Sequence, residues 1–163
     1  MISFLRPLVL PLLLLAAAPA YAQDHGHEDH KASLGGMTVI HAWTRATPKG
    51  DDTIVFFEIE NAGEPVVLNG GEAENAASVE VVGAHMGADG MLAYQPVGAF
   101  EIPAGNFAFD PNGLGLRLND LTTELQHGQH FHLHLAIGDG ELEISVDVEE
   151  ADAMAHSHAG HSH

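Results

Sequence analysis

Between residues 37 and 149 the chain alternates apolar and polar positions in short runs. The clearest run is ELEISVDVE, 141–149. Leu142, Ile144, Val146 and Val148 fall on one side; Glu141, Glu143, Ser145, Asp147 and Glu149 fall on the other. That period of two belongs to a half-buried strand. TIVFFEIE, 53–60, predicts a second strand, ended by the turn sequence NAGEP, and SVEVVGAH, 78–85, predicts a third. MLAYQPV, FEIPAG, NFAFDPNG and LGLRLNDL predict shorter strands punctuated by Gly, Pro and Asn. QHFHLHLAIGDG, 129–140, predicts a strand and a turn leading into the last strand. No segment carries a long apolar period of 3.6. Strands at intervals of roughly 8–12 residues with turn signals between them predict an all-β sandwich or barrel.

The two ends read differently. In MISFLRPLVLPLLLLAAAPAYA, 1–22, Arg6 is the only charge, an apolar run spans Leu8 to Ala18, and Ala20-Tyr21-Ala22 forms a small-x-small triplet. This is the layout of a secretory signal peptide cleaved after Ala22. The apolar run is too short for a membrane anchor and is interrupted by Pro11, with Pro7 just before it. The expectation is export to a bacterial periplasm, with no membrane insertion after cleavage. Residues 23–36 are then a flexible His-rich arm, 37–149 the β-sandwich domain, and 150–163 a flexible His-rich tail with nothing to bury.

Charge narrows the choice of partners. The chain carries 23 acidic and 5 basic residues, a formal net charge of −18. Nucleic acid and anionic lipid are poor partners for such a surface, and cations are good ones. There is no cysteine, so disulfides and thiolate metal sites are excluded. Any metal must be held by His, Met, carboxylate or backbone groups.

Four stretches supply such donors among the 13 histidines. Cleavage after Ala22 makes Gln23-Asp24-His25 the new start, so the amine, two backbone amides and the His25 imidazole form a planar nitrogen set suited to Cu(II) or Ni(II). His27 and His30 follow in the same arm. The tail offers His156, His158, His161 and His163, a metal-capturing composition. HFHLHL places His130, His132 and His134 on one face of a strand, with Phe131, Leu133 and Leu135 toward the core. Same-face neighbours stand about 6.5–7 Å apart along a strand, so two such imidazoles can meet on one ion. His127 lies just before this strand and is a candidate to join it. GAHMGADGM offers His85, Met86 and Met91 on a loop, a thioether and imidazole set suited to copper. His41, alone before Trp43, reads as structural.

Several segments together resemble a known family. HAWTRATPKG, FFEIENAGEPVVLNGGEAENAASVEV, MLAYQPVGAFEIPAG and LNDLTTELQHGQHFHLHL follow in the order and spacing of the periplasmic copper chaperones of the PCu(A)C type, over roughly residues 39 to 149. The resemblance implies a cupredoxin-like β-sandwich, no enzymatic activity, and carriage of copper, mainly Cu(I), toward oxidase assembly through a protein acceptor. It also implies a copper site of His and Met. Here that pattern departs: the later Met position holds Tyr94, and the His-x-Met positions hold Leu116 and Leu118. The first His and Met correspond only approximately to His85 and Met86. A His-rich replacement set shifts preference toward Cu(II) and zinc. HFHLHLAIGDG is also similar to the copper-binding strand of copper–zinc superoxide dismutases. The likeness ends there, because the next histidine is His156 and no cysteine pair exists. The expectation is a copper chaperone; zinc scavenging through the same histidines and a pH-responsive interaction module are the alternatives.

Overall fold

The computed structural model describes residues 31–157. These form eleven strands: β1 (Lys31–Leu34), β2 (Met37–Arg45), β3 (Thr53–Asn61), β4 (Val66–Glu72), β5 (Ala76–Met86), β6 (Leu92–Pro96), β7 (Phe100–Ile102), β8 (Gly105–Phe109), β9 (Leu114–Leu121), β10 (His130–Ile137) and β11 (Gly140–Glu149). Among the described residues no helix is long and apolar enough to cross a membrane. The all-β expectation holds, and each strand predicted from alternation is present.

The pairing closes on itself. Going round in the order β2, β11, β10, β4, β5, β9, β3, the last strand pairs with the first. The sandwich is therefore a flattened barrel without free edges in its main ring, which removes unpaired backbone groups. Only the β11–β2 contact in this ring is parallel. Strands β1, β6, β7 and β8 attach outside it, to β2, β5, β4 and β3.

The inward residues of β11, Leu142, Ile144, Val146 and Val148, enter one core with Leu133, Leu135, Val55, Phe57, Leu116 and Leu118. Burying each such side chain is worth about 1.5–3 kcal/mol. β3 breaks simple alternation, because Val55, Phe56 and Phe57 are all buried. Val55 and Phe57 face the core. Phe56 packs outside it on Trp43, ring centroids 5.0 Å apart, with the Arg45 guanidinium carbon 5.6 Å from each ring.

Two boundaries differ from expectation. Lys31–Leu34, expected within the flexible arm, pair antiparallel with β2. Gly35, at φ 61°, lets the chain turn between them. The start of the tail, expected to be free, folds back on the barrel. Arg45 Nε donates to the Ala153 carbonyl at 2.7 Å, and His156 is buried. Composition counted only apolar area, whereas polar anchors on the body hold this segment. Residues 1–22 of the predicted leader, 23–30 of the arm and 158–163 of the tail lie outside the described residues.

On the outer face of β5 and β9, Arg117 Nη2 donates to Glu80 Oε1 at 2.6 Å and Asn119 Nδ2 donates to the same oxygen at 3.0 Å. The hydrogen bond from Arg117, then that from Asn119, holds the Glu80 carboxyl below its ordinary value. A carboxylate depressed in this way stabilises the fold above its unfolded pKa, and that stability disappears as pH falls through the folded value. Glu80→Gln is expected to cost up to about 1 kcal/mol at pH 7. In urea titrations, the gap from wild type is expected to close as pH drops below about 4.3.

Candidate metal centre

Pairing between β10 and β11 sets His130 opposite Asp147, His132 opposite Ser145, His134 opposite Glu143 and Ala136 opposite Glu141. Cross-strand partners share a face. The three strand histidines therefore lie over the outward carboxylates of β11, as their alternation with Phe131, Leu133 and Leu135 predicted. His132 Nδ1 stands 3.4 Å from Glu143 Oε1, and His134 Nε2 stands 3.5 Å from Glu143 Oε2. Glu143 thus sits between two imidazoles. His134 Nδ1 lies 2.7 Å from Glu141 Oε1. Glu141 thus faces one ring nitrogen of His134 and Glu143 the other.

A cavity of about 340 Å³ opens here, lined by Glu74, Asn75, Phe131, His132, His134 and Glu143. One of its lining residues, Asn75, has a buried polar atom, Oδ1, without a hydrogen-bond partner. Buried polar atoms are normally satisfied, and an orphan carries a free-energy cost. Imidazole, carboxylate and amide oxygen are all ligand atoms. Glu74 and Asn75 were missed in the sequence because nothing in GEAENAA marks them. Chain reversal between β4 and β5 brings them beside β10. Among the described residues no three His, Asp or Glu side chains already converge closely enough to hold an ion. Loading this cavity therefore requires side-chain rotation.

The other candidate residues disperse. His130 is exposed at the start of β10. His127 Nδ1 pairs with Glu150 Oε1 at 3.0 Å and does not join the strand histidines. His85 and Met86 end β5 and only Met91 lies in the following loop, so the expected loop site is a hairpin tip. Met86 and Met91 are exposed, and His85 Nε2 is 3.1 Å from Gln95 Nε2. His156 Nε2 is 2.9 Å from Asp147 Oδ2 and 3.6 Å from Glu149 Oε1. His25, His27, His30, His158, His161 and His163 lie outside the described residues.

Three positions that the family resemblance would give to ligands hold Tyr94, Leu116 and Leu118 instead. Leu116 and Leu118 are fully buried in the core. The Tyr94 hydroxyl donates to the Pro111 carbonyl at 2.6 Å, and burial raises its pKa. Among the described residues, the strand histidines His130, His132 and His134 lie on the outside of the barrel.

This closed all-β architecture is the fold of PCuAC domains. The chain matches the apo PCuAC domain of PmoF2 with a TM-score of 0.61 at 23% identity, covering 77% of this chain and 99% of that one. The copper-bound PCuAC domain from PmoF2 matches with a TM-score of 0.61 at 22% identity, covering 74% and 98%. The solution structure of CuI-DR1885 from Deinococcus radiodurans matches with a TM-score of 0.56 at 24% identity, covering 80% and 87%. No curated protein sequence matches. The model of the LpqE-like lipoprotein family matches residues 37–149, and the chain belongs to that family.

Gly71 sets the approach of β4 to β10. A Cβ there would run into the His134 carbonyl oxygen. Gly71→Ala is expected to push β10 outward at a cost of about 1–3 kcal/mol, measured as a lower urea midpoint. The His134 ring resonances should shift with it, whereas Gly50→Ala, a strained turn substitution with nothing near its Cβ, should leave them in place.

Proposed function

We propose that this protein is an exported copper chaperone. It takes copper on the outer face of β10 and β11 through His132 and His134, with Glu143 between them, and releases it by ligand exchange to a protein acceptor. The observation that carries this reading is the cavity lined by His132, His134 and Glu143, where Asn75 Oδ1 is buried with no hydrogen-bond partner. Imidazoles serve copper and zinc alike. The PCuAC fold supports copper, since a PmoF2 domain and DR1885 have structures with copper bound.

The geometry suits transfer more than storage. The His132 side chain is 61% exposed, so an incoming ligand can approach from solvent. Carboxylates beside imidazoles orient the rings and raise their basicity. His25, His27 and His30 of the arm, His85, Met86 and Met91 at the hairpin tip, His130, and His158, His161 and His163 of the tail are further candidate capture donors, whereas His156 is buried against Asp147. The net charge of −18 concentrates cations around the chain. The leader and the family's lipoprotein description both support export. The 163 residues hold no cysteine to carry a thioether- or thioester-linked lipid.

Competition titrations of the purified protein against a common chelator test this reading with Cu(I), Cu(II) and Zn(II). Copper is expected to win. His132→Ala with His134→Ala should remove one copper equivalent while the circular dichroism spectrum is unchanged. Glu143→Gln should weaken that equivalent by about 10–100-fold. Tighter retention of zinc than of copper would overturn the copper assignment.

A further inference from the structure

A second group of donors lies outside the β10–β11 face. β2 shifts register between Ile40 and Trp43, and His41 sits in this bulge at φ 53°. A non-glycine residue held there is strained, and such strain clusters at functional sites. His41 Nδ1 is buried without a hydrogen-bond partner and stands 3.7 Å from Glu58 Oε1. Two ligands bound about 2 Å from one ion stand between about 3 and 4 Å apart.

The docked end of the chain completes a cup. Ala153 is held by Arg45, and Ser157 donates through its backbone N and its Oγ to Glu149 Oε1, at 2.9 and 2.8 Å. Between these anchors the His156 ring stacks on His41, with centroids 5.9 Å apart and planes inclined by 23°. The segment places Met154 and His156 on the wall of a cavity of about 180 Å³ whose floor includes Trp43, Phe57 and Phe109. Met154 is 72% exposed despite being a large apolar residue, so packing does not explain its position.

We propose that this cup is a second copper site, with His41 Nδ1, Glu58 and the Met154 thioether as ligands. His156 is the positioning residue that ties the Met154 segment down. Imidazole together with thioether selects copper over harder divalent ions, and the aromatic floor keeps water from one side. No three His, Asp or Glu side chains converge here among the described residues, and the thioether is the donor that makes up the set. The site rests on the copper-handling reading of the protein and adds a place where the segment 153–157 stands over the metal.

Methyl NMR of the purified protein, titrated with Cu(I) and separately with Ag(I) as a diamagnetic substitute, tests it. Met154 and the His41 ring are expected to shift together by the second equivalent, in wild type and in the His132→Ala, His134→Ala protein. Asn tolerates the left-handed region, so His41→Asn keeps the bulge while removing the imidazole. It should weaken binding at Met154 at least tenfold and leave the responses of His132 and His134 intact. Met154→Ala should abolish the His41 response to Ag(I). A Met154 methyl that never moves while His132 and His134 respond would overturn the second site alone, as would an unchanged Met154 shift in His41→Asn. Silence of all these groups would remove the copper reading together with it.

Discussion

The alternation of β11 is the constraint on which the molecule depends. Its inward side chains, Leu142, Ile144, Val146 and Val148, join the core. The strand closes the ring by lying antiparallel to β10 and parallel to β2. A slip of one residue would put those four side chains in water and drive five polar ones inward. Register is therefore fixed by the core, and with it the row of outward carboxylates. Each acid of that row meets a histidine: Glu141 and Glu143 meet His134, Glu143 also meets His132, and Asp147 and Glu149 meet His156. One strand thus organises both the folding of the barrel and the chemistry on its surface.

On the proposed reading, metal binding lies on the outer face, away from Tyr94, Leu116 and Leu118. The two leucines are committed to packing, where exchanging a leucine for a polar donor would leave a cavity or an unsatisfied group. The outer face has no such conflict. Imidazoles there cost little to the core, remain accessible, and sit on strands whose register is already determined. The strained or unsatisfied features are local: the left-handed turn at His41, the missing side chain at Gly71 and the unpartnered Oδ1 of Asn75.

Accessible sites also suit exchange. A fully enclosed metal must wait for the fold to open, whereas a half-exposed pair of histidines can accept a third ligand from outside. The segment 153–157 is held differently. It is attached by polar contacts to Arg45, Asp147 and Glu149, with little apolar burial. Hydrogen bonds to charged groups are worth about 1.5–3 kcal/mol each, so several such contacts hold the segment without a contribution from the core.

The strands, the inward and outward sides of β10 and β11, and the shared face of His130, His132 and His134 were legible because a period of two is a local property. Acidity and the lack of cysteine excluded whole classes of partner and ligand on composition alone. The sequence could not reveal that Glu74 and Asn75 stand beside His134, that His41 meets His156 across 115 positions of chain, or that residues 150–157 are held on the body. Those depend on ring closure and on a bulge, which bring together residues carrying no local mark. Alternation determines which way a side chain points. Only the closed barrel decides what stands opposite it, because pairing between distant strands is settled by the packing of the whole core.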